Sequence, residues 1–245
     1  MIMNKISSVL RRAGHVSTVI TGGQDTVGLR VPNYPVALEL LREFGTGIAA
    51  PSANRFGRLS PTSAIHVRNE MGNSIDYILD GGTCHVGIES AIIDLTSEKP
   101  RLLRPGTLPV EELEATIKKN IVYFGKTYIR APGMHTSHYA PKTPLSMASV
   151  EHLEFCIHQA LERDKVVGVL SMTRLTLPDK CFYKTIPMNP ELWARQLYAM
   201  LREFDASNLD CILIETPPRA PGWEAVHDRL SRAASSTCKP RTSLL

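Results

Sequence analysis

The residues best suited to handle an anion lie between Thr46 and Ser63, in the run TGIAAPSANRFGRLSPTS. A short apolar strand leads into Pro51-Ser52-Ala53-Asn54, and a Ser60-Pro61 helix start follows. Small side chains let backbone N–H groups and hydroxyls converge on one point. A helix N-terminus adds about half a positive charge there, so phosphate or carboxylate binding is the chemistry on offer. A plain turn at PSAN with Ser60 as a helix cap accounts for the same residues, and local physics alone favours that reading.

Four further features bear chemistry. Arg30 sits within an apolar strand, where a guanidinium needs an acidic partner or an anionic ligand. Gly87-Ile88-Glu89-Ser90 sets a carboxylate and a hydroxyl at the mouth of a strand, although a turn-and-cap role is the commoner one for such residues. Arg104, before Pro105-Gly106, ends a strand and suits a phosphate contact or a surface ion pair. His135 and His138 form an H-x-x-H without an acidic ligand, a poor metal site, and no metal ligands are expected. The Walker, G-x-G-x-x-G and G-x-S-x-G signatures do not occur.

The elements that must position these residues follow from periodicity. In the first half, strands are expected at 15–20, 26–31, 48–50, 75–79, 90–94 and 101–103. Leu38, Leu40, Leu41 and Phe44 predict a helix stopping at Gly45. Ser60-Pro61 opens another, and a third spans 110–119 with Glu111 and Glu112 at its positive end. Residues 126–146, with three prolines, read as a linker or ordered loop. Beyond 148 a helix, a strand at 166–170, a helix at 190–204, a strand at 211–214 and a helix at 225–234 alternate as in a small parallel α/β domain.

Composition narrows the class. The 245 residues carry 28 Lys+Arg against 24 Asp+Glu, with 43% hydrophobic and 21% charged, which excludes a disordered or collagen-like chain. The basic residues are scattered, so charge leaves RNA open as a partner without pointing to it. No apolar run approaches the roughly 18–20 residues of a membrane-spanning helix. Five scattered cysteines without a C-x-x-C pair argue against a disulfide framework or zinc ribbon and for a reducing, cytoplasmic setting.

Taken in order, P-S-A-N, S-P-T, L-D-G-G, G-x-E-S and L-R-P-G resemble the YrdC-type domain of the L-threonylcarbamoyladenylate synthase family. A-P-G-M-x-x-x-H-Y-A-P at 131–141 is similar to the linker of that family's longer, two-domain form. Leu197-Tyr198, Leu201-Arg202, Asp205 and Asp228-Arg229-Leu230 through Ala234 are similar to its Rossmann-like second domain. The resemblance implies an α/β protein: an incomplete YrdC-like twisted mixed sheet at 1–125, a linker covering the active site at 126–146, and a Rossmann-like domain at 147–245.

The activity it implies is synthesis of threonylcarbamoyl-AMP from ATP, L-threonine and bicarbonate, with release of pyrophosphate. The product serves threonylcarbamoylation of adenosine 37 of tRNA through downstream transferase proteins. By matching motifs, Thr26, Ser52, Asn54, Ser60, Arg104 and Tyr139 would hold ATP, with Mg²⁺ carried on its phosphates. Arg30, Ala50 and Ser90 would bind L-threonine, the guanidinium taking the carboxylate. A capacity for double-stranded RNA binding is implied as well, and the alternative to the enzyme is a non-catalytic nucleotide- or RNA-binding remnant.

Two family motifs, P-T-E-T-x-Y-G-L and an early K-x-R, do not occur ahead of residue 15. The expectation is therefore an N-terminally truncated domain that turns over poorly. Ala91 after Glu89-Ser90, where threonine is usual, is expected to cost little.

Overall fold

The computed structural model describes residues 5–123, 128–133 and 139–234, with the backbone of 236–237. The first half builds a five-stranded sheet from β1 (Ile6–Arg11), β2 (Thr26–Leu29), β3 (Ala91–Asp94), β4 (Arg101–Arg104) and β5 (Val122–Tyr123), in the order β2-β1-β3-β4-β5. Pairing is mixed: β1–β3 and β4–β5 run parallel, β1–β2 and β3–β4 antiparallel. The helices of this half are α1 (Pro35–Phe44), α2 (Ala64–Met71) and α3 (Val110–Ile117).

The second half contains β6 (Leu145–Ala148), α4 (Val150–Leu161), β7 (Val167–Ser171), β8 (Cys181–Thr185), α5 (Pro190–Asp205), β9 (Cys211–Glu215), α6 (Glu224–Ala233) and β10 (Ser236–Thr237). Its sheet has the order β10-β6-β9-β7-β8, and every pairing is parallel. Helices α4, α5 and α6 lie in the β6–β7, β8–β9 and β9–β10 connections, because parallel neighbours need a long connection. β7 is buried along its whole length, as suits a strand covered on both faces. Asn189 caps α5 by accepting from the N–H groups of Glu191 and Leu192, and Pro190 occupies its first turn.

Several expected strands are absent. Residues 15–20 form turns instead: the N–H groups of Val16, Ile20 and Thr21 donate to carbonyls three residues back. Thr21 Oγ donates to the Thr18 and Gln24 carbonyls. Serine and threonine hydroxyls offer the backbone local bonds that compete with a ladder. Residues 48–50 and 75–79 are likewise irregular. β1, by contrast, lies inside the sheet although its sequence ISSVLR has no clear alternation. Ser60 does not open a helix; α2 begins at Ala64, and the Thr62 carbonyl is engaged by the Cys84 N–H at 2.9 Å.

Burial is uneven. Ala91, Ile93, Leu102, Leu108 and Leu113 pack β3 and β4 against α3. α1 and α2 bury no residue, while Val19, Phe56 and Tyr77 are 86, 81 and 90% exposed. The accessible surface is 15,306 Å², against about 10,800 Å² for a compact monomer of this mass.

Cys84, Cys181 and Cys211 are free thiols. Cys156, in α4, is buried.

Candidate active site

β3 and β4 end side by side, and their ends carry the chemistry. Ser90, just before β3, and Arg104, the last residue of β4, are joined by a bond from Arg104 Nε to the Ser90 carbonyl at 3.1 Å. Arg104 is 4% exposed and also donates through Nη1 to the Pro132 carbonyl and the Tyr139 phenol oxygen, each at 3.1 Å. Arg30, one residue past β2, reaches the Ser90 hydroxyl at 2.7 Å and the Ser7 hydroxyl at 2.9 and 3.0 Å. Much of Arg30 faces solvent, yet its guanidinium is crowded. Burial, then the neighbouring Arg104 charge, lowers its pKa against the pull of Glu89. Two guanidinium groups in one field favour an anionic ligand beside them.

Glu89 connects this cluster to the second half. Its Oε1 accepts from the Ser60 hydroxyl at 2.5 Å, and its Oε2 accepts from Arg229 Nε at 2.8 Å and from the Tyr198 hydroxyl at 3.1 Å. Burial would raise the Glu89 carboxyl, but Arg229, the Ser60 hydroxyl and Arg104 outweigh it and hold the group below its ordinary value. Burial and the adjoining Glu89 push the Tyr198 phenol well above its usual range.

Tyr139 is 1% exposed and adopts a left-handed φ of +62°. Its ring stacks on Tyr198, with centroids 5.9 Å apart. The Arg229 guanidinium carbon lies 5.1 Å from its ring centre.

The structure thus brings Arg30, Ser60, Ser90, Arg104 and Tyr139 into one hydrogen-bonded system. Asn54 is tied to its margin: its Nδ2 donates to the Arg55 and Arg58 carbonyls at 3.0 Å, and residues 57–58 pair with Ala140. Asn54 Oδ1 is buried with no hydrogen-bond partner among the described residues. Ala50 and Ser52 lie on the exposed irregular loop, and Thr26 opens β2 opposite Arg11. Among the described residues no hydrogen bond or ion pair draws these three into the system. His135 and His138 lie outside the described residues. Glu89, Tyr198, Arg229 and Ser7 were not singled out as binding residues from sequence. Glu89 stood out there as a carboxylate beside a strand mouth, and Tyr198 and Arg229 only as members of motifs similar to the family's second domain.

Comparison with known proteins fits this arrangement. Residues 1–106 match the Sua5/YciO/YrdC family, described as telomere recombination. Residues 108–235 match the threonylcarbamoyl-AMP synthase C-terminal domain. The chain belongs to the threonylcarbamoyl-AMP synthase family. Members are nucleotidyltransferase-type enzymes of tRNA modification. The threonylcarbamoyl-AMP synthase of Pyrococcus abyssi is 38% identical over 94% of this chain and 70% of its own length. That of Bacillus subtilis is 36% identical over 89% and 66%, and that of Schizosaccharomyces pombe 33% over 90% and 60%. The chain therefore spans roughly two thirds of the length of these relatives. The crystal structure of P. abyssi Sua5 complexed with L-threonine superposes with a TM-score of 0.83 at 36% identity, covering 96% of this chain and 72% of that one.

The α/β class expected from sequence is the one observed. The comparisons do not bear out the expectation that the opening part of the first domain is missing.

Proposed function

We propose that this chain makes threonylcarbamoyl-AMP from L-threonine, bicarbonate and ATP. The observation that carries the reading is the convergence of Arg30, Ser90 and Arg104 under Tyr139. Threonine's amine and bicarbonate combine to a carbamate with loss of water. A carbamate oxygen then attacks the α-phosphorus of ATP, the bond to the β-phosphate breaks, and pyrophosphate leaves. No side-chain nucleophile is required; the protein's part is to position two anions and offset their charge.

Arg30 and Ser90 would hold the threonine carboxylate and hydroxyl, with Ala50 along the pocket wall. Arg104, Ser60 and Tyr139 would hold the nucleotide, joined by Thr26, Ser52 and Asn54 once the 46–58 loop closes on it. Among the described residues no three acidic, His or Cys side chains converge as metal ligands. Mg²⁺ would accordingly travel with the ATP phosphates and water, shielding their charge.

The 126–146 segment is proposed as the cover of this site, between a nucleotide-binding part at 1–125 and a Rossmann-like part at 147–245. The product would serve tRNA adenosine 37 in the cytoplasm through downstream transferases. None of the described helices is long and apolar enough to cross a membrane. Double-stranded RNA binding is part of the same proposal. Turnover is expected, as relatives that match 94 and 89% of this chain are named threonylcarbamoyl-AMP synthases.

The test is pyrophosphate release by the purified chain with ATP, L-threonine and bicarbonate. Threonine-dependent release is expected. A folded chain that releases none, yet still binds ATP or duplex RNA, would support the non-catalytic binding reading instead.

A further inference from the structure

Arg229 of α6 is the largest buried charge in the described residues, and the reaction outlined above gives it no task. None of its side chain is exposed. Nε donates to Glu89 Oε2 at 2.8 Å and Nη1 to Asp228 Oδ2 at 2.6 Å. Nη2 donates to two backbone carbonyls, Glu89 at 3.2 Å and Pro105 at 3.1 Å. Asp228 is braced in turn by Arg232 Nε at 3.0 Å.

Those two carbonyls are telling. Glu89 immediately precedes Ser90, and Pro105 immediately follows Arg104. One planar fork from the second half therefore grips the entry to β3 and the exit from β4, the two points that carry the proposed threonine and nucleotide contacts. Through Glu89 it also fixes the Ser60 hydroxyl, and its flat face lies against Tyr139. A guanidinium is suited to this because its five donors are rigidly coplanar, whereas an ammonium could satisfy these acceptors only in part. Joining two halves needs no buried charge: the apolar cluster linking Leu59, Ile88 and Tyr139 to Trp193 and Leu197 already does so. A buried ion pair is weak as a source of stability.

We infer that Arg229 is a positioning residue for the substrate site, through which α6 holds Ser60, Ser90 and Arg104 in working geometry. The inference rests on the synthase reading. It assigns the second half a share in catalysis although no atom of Arg229 touches substrate.

Arg229→Lys keeps the charge and loses the fork, and Tyr198→Phe removes only the hydroxyl on Glu89. Lys180→Met, at an exposed surface pair, is the control. Steady-state pyrophosphate release is measured at a temperature where all variants are folded, together with backbone hydrogen exchange. For Arg229→Lys we expect kcat/KM to fall about 10- to 100-fold, with KM for both ATP and L-threonine raised. For Tyr198→Phe the fall is about tenfold, and the control is unchanged.

Exchange should quicken at residues 59–60, 88–90 and 104–106 in Arg229→Lys and stay level in β7 and β9. Unchanged kinetics beside an active wild type overturn the proposal while leaving the synthase reading intact. A lowered melting temperature with normal kinetics has the same meaning. If the wild type itself releases no pyrophosphate, the synthase reading fails. Exchange at the three segments then decides alone: a local increase upholds the clamp, and none overturns it.

Discussion

The phenol oxygen of Tyr139 accepts a hydrogen bond from Arg104, 35 residues earlier in the chain, at 3.1 Å. Tyr139 reaches that place with a left-handed backbone, which a bulky residue rarely adopts without compensating contacts. The compensation here is aromatic stacking on Tyr198 and the cation of Arg229. Tyr139→Phe should retain the stacking and lose the bond to Arg104. We expect about 1 kcal/mol less stability and a severalfold rise in KM for ATP, read by denaturant melts and by kinetics at varied ATP.

Gly133 stands against the same hydroxyl. A Cβ there would come within 2.1 Å of the Tyr139 phenol oxygen, on a backbone at φ +84°. Gly133→Ala is expected to be more damaging than Tyr139→Phe. Part of its cost should disappear in the Gly133→Ala, Tyr139→Phe double variant, because the clashing atom is gone. The remainder belongs to backbone conformation. Strict additivity in a double-mutant cycle would count against this contact.

Gly87 marks where the halves touch. Its N–H donates to the Ala194 carbonyl of α5 at 3.0 Å, and a Cβ would lie 2.2 Å from the Arg195 carbonyl oxygen. Backbone cannot yield as a side-chain tip can. Gly87→Ala should cost about 1–3 kcal/mol and lower activity together with stability, since Glu89 lies two residues on. A wild-type melting temperature would show that α5 and this segment do not meet.

Acid sensitivity should appear above the carboxylate range. His66 Nδ1 accepts from the Thr62 N–H at 3.2 Å, a bond that protonation of Nδ1 destroys. Burial, then the Arg202 charge, lowers the His66 pKa from its ordinary 6.5, with Glu203 opposing. A lowered pKa means that the folded state favours the neutral ring. The stabilisation is thus complete above 6.5 and is lost as pH falls through the folded value. Melting curves between pH 7.5 and 5 should show a decline that His66→Gln flattens. A His66 resonance titrating at or above 6.5 would contradict this.

The stability of the first half should come from one side only. Leu102→Ala, in the packed layer under α3, is expected to cost about 2–5 kcal/mol. Val19→Ser, at an exposed site, should change stability by no more than about 0.5 kcal/mol. Equal losses would mean that Val19 is covered in solution.

The second half was legible because helix and strand alternate there with clean apolar runs, as in Val167–Ser171 and Cys211–Glu215. Even so, β8 was not foreseen, since CFYKT mixes exposed and half-buried positions. In the first half, short apolar runs misled at 15–20 and 75–79. A run of five or six residues forms a strand only if a neighbour supplies the ladder, and that neighbour is not written locally. The same limitation hid β1.

Motif order alone determined the family, and it singled out Arg30, Ser90 and Arg104 as candidates to meet an anion. Which of them converge was decided only in three dimensions. Arg229 and Glu89 are 140 residues apart, and nothing local in the sequence pairs them. Their burial against one another depends on how two sheets dock, and desolvation makes such a pair either well matched or strongly destabilising.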